Sequence, residues 1–525
     1  MKVDAATLPD DIAELKSLFV ETQQTYESEI TLLKEQVTLL QHKLFGRKSE
    51  KLPVGSGQLL LFNEAEQTAA ETPREEAEED SIEVPAHTRR RGKRNPLPAD
   101  LPRVEVVHDL PEEQKQCACG AHKERIGEEI SEQLDIIPPQ IKVIRNIRPK
   151  YVCKNCEGTH ADEPAVSIAP VPEQMIPKSI ATAGLLAWVL TGKFVDALPF
   201  YRTEQILQRY GVEVSRQTLC CWAIKVAQLC APILDLMRDA ILSGMQINAD
   251  ETTLQVLKEP GREATAKSYM WLFRGGEDGK PVIVYQYHET RGSQAAKDFF
   301  KDYLGYVQTD GYLGYDFLGK QKGIRHIGCW AHARRKFVEV VNAAGKDKNG
   351  KRKAGSGDIA LKYIAKLYEI ESDCAERKLS YEEIALERQK RAGPLLEEFK
   401  EWLEKRQPQV PPGSTLGKAI SYTLGQWERL VVYLEDGRLR PDNNLAENAI
   451  RPFVVGRKNW LFAATPAGAH ASAALYSIIE TARANGLEPY WYLRYLFDRL
   501  PKAKSKDDYR ALLPHCIAAS QLERP

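Results

Sequence analysis

The stretch Met245–Val256, MQINADETTLQV, sets one carboxylate, Asp250, inside a run whose apolar members, Ile247, Ala249, Leu254 and Val256, read as a buried strand. An aspartate there loses hydration energy that a cation or hydrogen bonds must offset, so Asp250 is either a metal ligand or a capped turn residue. The segment VQTDGYLGYDF repeats the arrangement: Val307 leads into Asp310, and Gly311 follows as a turn residue. In RPDNNLAENAIRPFVVGRKNWLF a third acid, Glu447, falls on a short predicted helix with Arg451, Arg457 and Lys458 downstream. Three carboxylates remote in sequence, each at the end of a regular element, suit two magnesium (or manganese) ions. Such hard cations take oxygen ligands and, about 3.5–4 Å apart, clamp the attacking and leaving oxygens of phosphoryl transfer. Phosphodiester backbone is the substrate class that follows.

Plainer readings stand beside each acid. Asn444 with Glu447 three residues on outlines a capping box, in which the carboxylate only satisfies a helix N-terminus. Glu447 could also pair with Arg451 one turn later. Asp442 is an alternative ligand or a capping group, Asp316 a substitute for Asp310, and Glu251 for Asp250. In GCWAHARRKF, His332 and Arg335 form an HxxR pair that also occurs in tyrosine recombinases. Those enzymes need a further arginine and a nucleophilic tyrosine, and among 21 tyrosines a candidate is always at hand, so the pair discriminates little. His332 reads as a packing or phosphate-orienting residue, with Arg334 and Arg335 near DNA backbone.

A chain of 525 residues is long enough for three or four domains. Its 73 basic and 73 acidic residues cancel, so overall charge indicates no partner and only local clusters can. Ten cysteines in this length are too few for a disulfide scaffold, and their pairing points to zinc in a reducing cytosol. The N-terminus, MKVDAATLPDDIAELK, lacks the apolar run of a signal peptide, and Ile180–Leu190 falls short of the roughly 20 residues of a membrane span. The expectation is a soluble cytoplasmic protein, associated with the nucleoid if its substrate is DNA.

Phe19, Gln23, Tyr26, Ile30, Leu33, Val37, Leu40 and Leu44 alternate steps of four and three, the seam of a coiled coil within residues 1–46, against the alternative of an amphipathic helix packed on its own chain. Residues 47–108 lose periodicity and carry an acidic cluster (Glu75 to Asp80) and then Arg89, Arg90, Arg91, Lys93 and Arg94, a disordered linker whose basic run is either solvated or touches phosphate. In residues 109–165, Cys117 and Cys119 form a CxC pair and Cys153 and Cys156 a CxxC pair, enough thiolates for one closed, structural zinc site. Between them Lys142, Arg145, Arg148 and Lys150 line up on a predicted hairpin. Residues 166–243 read as helices. Within them Gly211 breaks one helix and Ser215 caps the next, a helix-turn-helix outline presenting Arg216, Gln217 and Thr218 to a DNA groove, or else a helical hairpin packed on a core. Cys220, Cys221 and Cys230 read as core.

After Asp250, KSYMWLFRGG and PVIVYQYH read as strands, GSQAAKDFFKDYL as a helix, and VQTD as a strand. IRHIGCWAHARRKF gives a further strand and helix. The interval from Asp310 to Glu447 exceeds what one strand and one helix require, so helices at about 345–435 must be inserted there. From Ala469 an amphipathic helix, a stop at Gly486 and a second helix at about Tyr490–Leu500 complete the C-terminal region, 466–525, and would brace the Glu447 helix.

The segments ADETTLQVL, QTDGYLGYD, GCWAHARRKF, DNNLAENAIRPFVVGRKNWLF and LYSIIETARANGLEPYWYLRYLF together resemble the insertion sequence 66 (IS 66) family of DDE-type transposases, over nearly the whole chain. The resemblance implies an α/β multidomain protein with a ribonuclease-H-like core (244–465), in which the first and last strands lie side by side. It implies Asp250, Asp310 and Glu447 as the catalytic, magnesium-holding acids, a zipper-like N-terminus, and accessory proteins from the same element. The expected function is binding of terminal inverted repeats followed by metal-dependent cleavage and strand transfer, by a homodimer or higher oligomer acting on double-stranded DNA. Arg451, Arg457 and Lys458 would hold phosphates, and Trp460 would stack on a base or pack. The rival is a zinc-containing DNA-binding regulator with an inactive nuclease-like core, which would be expected to lack one of the acids. An RNA-directed nuclease is separated from both by substrate choice.

Overall fold

The computed structural model describes residues 11–45, 140–152, 166–344 and 355–522. They belong to two compact units, Met1–Thr72 with Pro170–Pro525, and Pro73–Ala169. The four paired cysteines, Cys117, Cys119, Cys153 and Cys156, and the linker with its basic cluster lie outside the described residues. In the smaller unit β1 (Lys150–Val152) pairs antiparallel with β2 (Val166–Ile168), Lys150 opposite Ile168. Residues 140–149 hold no regular structure, so the hairpin expected around Lys142 and Arg145 shrinks to this short ladder. Pro149 withholds a backbone donor just before it, and Ile141, Val143, Ile144 and Ile147 are exposed among the described residues.

The N-terminal seam lies on one continuous helix, Ile12–Phe45, of 34 residues. Phe19, Tyr26, Ile30, Leu33, Val37 and Leu40 are all exposed along it. Glu35 instead faces the body, accepting from the Thr415 N–H and hydroxyl at 3.2 Å each.

Helices Ala183–Phe194, Phe200–Arg209, Arg216–Leu229 and Ala231–Leu242 lead to the sheet. The expected punctuation is present. Gly211 has φ +76°, and the Ser215 hydroxyl accepts from the Thr218 N–H at 3.2 Å. Leu219, Trp222 and Ala223 are buried, while Arg216 and Gln217 are exposed at the start of the second helix. Cys230 is buried as expected, but Cys220 and Cys221 are exposed, because the buried stripe runs through Leu219, Trp222, Ala223 and Val226 instead.

Five strands form one mixed sheet in the order β5-β4-β3-β6-β7: β3 (Gln246–Gln255), β4 (Lys267–Glu277), β5 (Lys280–His288), β6 (Gly305–Gln308) and β7 (Ile324–Ile327). β3, β4 and β5 form an antiparallel meander, and β6 and β7 run parallel to β3. Met270, Trp271, Leu272 and Phe273 are buried in succession on β4, the mark of a sheet covered on both faces. β5 is an edge strand, and helix Pro466–Ala484 closes it with hydroxyls: Ser477 accepts from the Tyr285 N–H at 2.8 Å, and Thr481 accepts from the Ile283 N–H at 2.9 Å. That helix is therefore buried from Ala471 to Ala482, where amphipathicity was expected. It braces the Glu447 helix as expected, with the Tyr476 ring edge-on to Phe453 at 5.4 Å.

The expected helical insertion forms a second core around Trp330, Phe399, Leu403 and Trp427. Its helices include Ser356–Glu376, Gly393–Arg406 and Thr415–Gly425. Buried Arg388 holds the returning chain, bonding Glu371 at 2.7 and 2.8 Å and the carbonyls of Tyr433, Asp436 and Leu439 at 2.8–2.9 Å. With its donors satisfied, that guanidinium fixes the segment that enters the Glu447 helix.

Candidate active site

β3 carries Asp250, and Asp310 follows β6 by two residues. The parallel register of the two strands sets Ile247 opposite Val307 and Asn248 opposite Gln308. The last pair of that register is Asn248 with Gln308, and beyond it Asp310 stays near enough for its charge to act on Asp250. Glu447 lies in the first turn of the helix Asn444–Trp460.

Buried amides lock that helix onto the strands. Asn248 donates to Gln308 Oε1 at 2.9 Å and to Asn443 Oδ1 at 3.0 Å, and Asn443 donates to the Ala249 carbonyl at 2.9 Å. Gln308 donates to the carbonyls of Arg440 at 2.8 Å and Gly328 at 3.2 Å. Asn443 is the helix N-cap, but its side chain does not cap, being committed to β3. The capping-box reading of Asn444 and Glu447 is thereby removed, since Asn444 is already inside the helix.

The rival acids have partners of their own. Glu251 bonds Arg291 at 2.6 Å and the Tyr315 hydroxyl at 2.7 Å. Asp316 pairs with Arg429 at 2.7 Å, and Asp442 accepts from the Asn444 N–H at 3.2 Å. Asp250 accepts from the Glu251 N–H at 2.8 Å, and Asp310 from the Tyr312 N–H at 3.0 Å. Gly311 serves by its small size: a Cβ there would sit 2.4 Å from the Tyr422 hydroxyl.

Burial, and then the negative charges of Glu251, Glu447 and Asp310, hold the Asp250 carboxyl well above the usual carboxylate range. Asp310 is raised by burial, against the Tyr312 N–H bond and the pull of Arg291 and Arg335. Glu447 is raised by burial, with Arg335 opposing and Asp442 and Asp310 adding. Glu447 Oε1 is buried without a hydrogen-bond partner among the described residues. Burial is the first cause of all three shifts, and buried carboxylates, one with an oxygen unpaired among the described residues, are groups that could hold a divalent cation.

The basic residues are distributed unevenly. Arg335 Nη2 is 3.7 Å from Glu447 Oε2, so it faces the acid itself, and Arg334 lies alongside on the helix Trp330–Ala343. Arg457 bonds the Thr252 and Thr253 hydroxyls of β3 at 3.1 and 3.0 Å, stitching the Glu447 helix to the sheet. Lys458 is exposed, Arg451 half-buried, and Trp460 packs edge-on against Phe453 at 5.5 Å. His332 points Nδ1 toward Glu447 Oε1 at 3.8 Å; burial and the charges of Arg335 and Lys336 lower it to about 4, so its imidazole is neutral. Arg291, Asn248, Gln308, Asn443 and Cys329 belong to this neighbourhood but escaped the sequence reading. Asn443 sits inside DNNLAEN, and that polar run was the one available signal for it.

No single helix among the described residues is long and apolar enough to cross a membrane. The chain matches the family model described as "Transposase IS66 family" over residues 178–471. It also matches "Transposase C of IS166 homeodomain" over 32–106, "zinc-finger binding domain of transposase IS66" over 114–157 and "IS66 C-terminal element" over 477–515. Among curated relatives from Sinorhizobium fredii (strain NBRC 101917 / NGR234), "Uncharacterized protein y4jD" is 30% identical over 98% of this chain and 98% of its own length. "Uncharacterized protein y4qI" is 30% identical over 96% of this chain and 91% of its own length. The zinc-finger match covers Cys117, Cys119, Cys153 and Cys156, and the first two modules agree with a zipper followed by a structural zinc domain. With one model spanning more than half of the sequence and relatives aligned end to end, this chain belongs to the IS66 transposase family.

Proposed function

We propose that the protein is a DDE-type DNA transposase with a ribonuclease-H-like core, binding the terminal inverted repeats of its element and carrying out cleavage and strand transfer on double-stranded DNA. Two observations carry the reading together. The parallel β3–β6 register ends two residues before Asp250 and Asp310, whose charges act on one another's neighbourhood, and the Asn443 clasp holds the Glu447 helix on β3.

Asp250, Asp310 and Glu447 would hold two magnesium (or manganese) ions, which when bound neutralise charge on the scissile phosphate and activate the attacking oxygen. The chain's own residues position and exclude. The amides of Asn248, Gln308 and Asn443 fix the acids' spacing. Arg291 and Tyr315 keep Glu251 from competing for the cations. Arg335 beside Glu447 offers a cation to a phosphate that approaches the cleft. Arg216 and Gln217, exposed at a helix N-terminus, and Lys458 are candidates for DNA contact, as are Arg334, next to Arg335 on its helix, and Arg451, whose charge acts on Glu447. Both chemical steps are in-line displacements, so no protein nucleophile is required.

The test is Mg2+-dependent nicking of DNA carrying the element's ends. The wild type should cut, and Asp250→Ala should bind the same DNA without cutting. Cleavage unchanged in Glu447→Gln would remove that residue from the site. Binding without cleavage in every wild-type preparation would favour the regulator reading.

A further inference from the structure

The two-ion site leaves Cys329 and His332 unused. Cys329 is 2% exposed at the start of the helix Trp330–Ala343, and its Sγ accepts the Asn443 N–H at 3.2 Å, where the Glu447 helix begins. His332 follows one turn later. One ligand atom from each of Cys329, His332 and Glu447 lies within 4.8 Å of the other two. His332 Nδ1 and Glu447 Oε1 are inaccessible to solvent, 3.8 Å apart, and neither has a hydrogen-bond partner among the described residues. Arg335 approaches the other carboxylate oxygen, Oε2, and so leaves Oε1 unclaimed.

Two buried, unpartnered ligand atoms aimed at each other above a thiol are costly as they stand. A zinc ion bonds sulfur at about 2.3 Å and imidazole nitrogen or carboxylate oxygen at about 2.0–2.2 Å, so its tetrahedral ligands sit roughly 3.3–3.7 Å apart. The cluster needs only a modest contraction to reach that geometry. We propose that Cys329 Sγ, His332 Nδ1 and Glu447 Oε1 bind one borderline-soft divalent ion of the zinc or cobalt class, leaving a fourth position open. Thiolate and imidazole select such ions over magnesium. Binding releases the Cys329 proton to solvent while the ion replaces it on sulfur. Because Glu447 is shared, occupancy removes Oε1 from the magnesium pair, and zinc becomes an antagonist of magnesium-dependent cleavage. The ion binding stands apart from the transposase reading, and the antagonism rests on it.

The experiment uses the full chain with its cysteine-rich module saturated with Zn2+, titrated with Co2+ as the probe. The expected result is a thiolate-to-cobalt charge-transfer band in the near ultraviolet, with visible bands of four-coordinate cobalt. Cys329→Ser should lose the charge-transfer band, and His332→Ala should weaken Co2+ binding at least tenfold. Identical spectra in wild type and Cys329→Ser would overturn the site. Should Cys329→Ser fail to fold, unchanged Co2+ affinity in both His332→Ala and Glu447→Gln would overturn it equally. At fixed Mg2+, the Zn2+ concentration that halves nicking should rise at least tenfold in His332→Ala, and no change would overturn the antagonism. A normal cobalt band in a wild type that never cuts DNA would instead sink the transposase reading alone.

Discussion

Replacing Asn443 with alanine should release the Glu447 helix from β3. The side chain makes two buried bonds, accepting from Asn248 and donating to the Ala249 carbonyl. Because it does not cap its helix, no capping energy is lost with it. Both former partners are left in a dry environment, Asn248 being 3% exposed. Each buried group left unpaired costs about 1–3 kcal/mol, so the local loss is about 2–6 kcal/mol. Hydrogen exchange reads that directly: amides of Asn444–Trp460 should lose roughly 30-fold or more of their protection. Mg2+-dependent nicking should fall in step, since Glu447 rides on that helix. Thr481→Val, which removes hydroxyl bonds at the far β5 edge, serves as control and should leave the helix's protection intact. Protection within threefold of wild type in Asn443→Ala, with full nicking, would refute the clasp.

Other outcomes follow from the same geometry. The Asp250 carboxyl is raised in the folded state, so the native protein keeps a proton that the unfolded chain has released. Metal-free stability must then fall as pH rises from about 4, the unfolded value, through the raised one. Asp250→Asn should flatten that decline, melt above wild type at neutral pH without divalent ions, and lose the Mg2+-induced rise in Tm. A wild-type-like pH profile in the variant would contradict this. Arg457→Ala should lower Tm without changing the salt dependence of DNA binding, because the guanidinium is bonded to Thr252 and Thr253, whereas Lys458→Ala should reduce the slope of log affinity against log salt by about one. The exposed seam of the first helix should mediate self-association, so Leu33→Lys with Val37→Glu should shift the sedimenting species toward monomer.

Strand-borne acids were legible because a carboxylate in an apolar run breaks a periodic pattern. Asp250 and Asp310 could therefore be singled out, although the strand expected through VQTD stops at Gln308 and leaves Asp310 in the loop after it. Glu447 was ambiguous, since a helix N-terminus accepts an acid for capping as readily as for chemistry. Only the position of Asn443, one residue before the helix, separates the two. The inserted helices could be anticipated from chain length, but not the anchor of Arg388 on Glu371, Tyr433, Asp436 and Leu439, which depends on contacts distant in sequence. Asn248 reads in sequence as an ordinary half-buried strand position, and its role is set by Gln308 and Asn443 arriving from elsewhere. Cys220 and Cys221 misled because cysteine is most often buried, and here the helix turns a different stripe inward.

The central claim is that Asp250, Asp310 and Glu447 converge on shared divalent ions. Anomalous scattering from crystals of the full chain bound to Mn2+ and a DNA end tests it most directly. Two manganese peaks are expected, about 3.5–4 Å apart, with ligands drawn from Asp250, Asp310 and Glu447. Manganese absent from Asp250 and Asp310 while the DNA end is in place would contradict it.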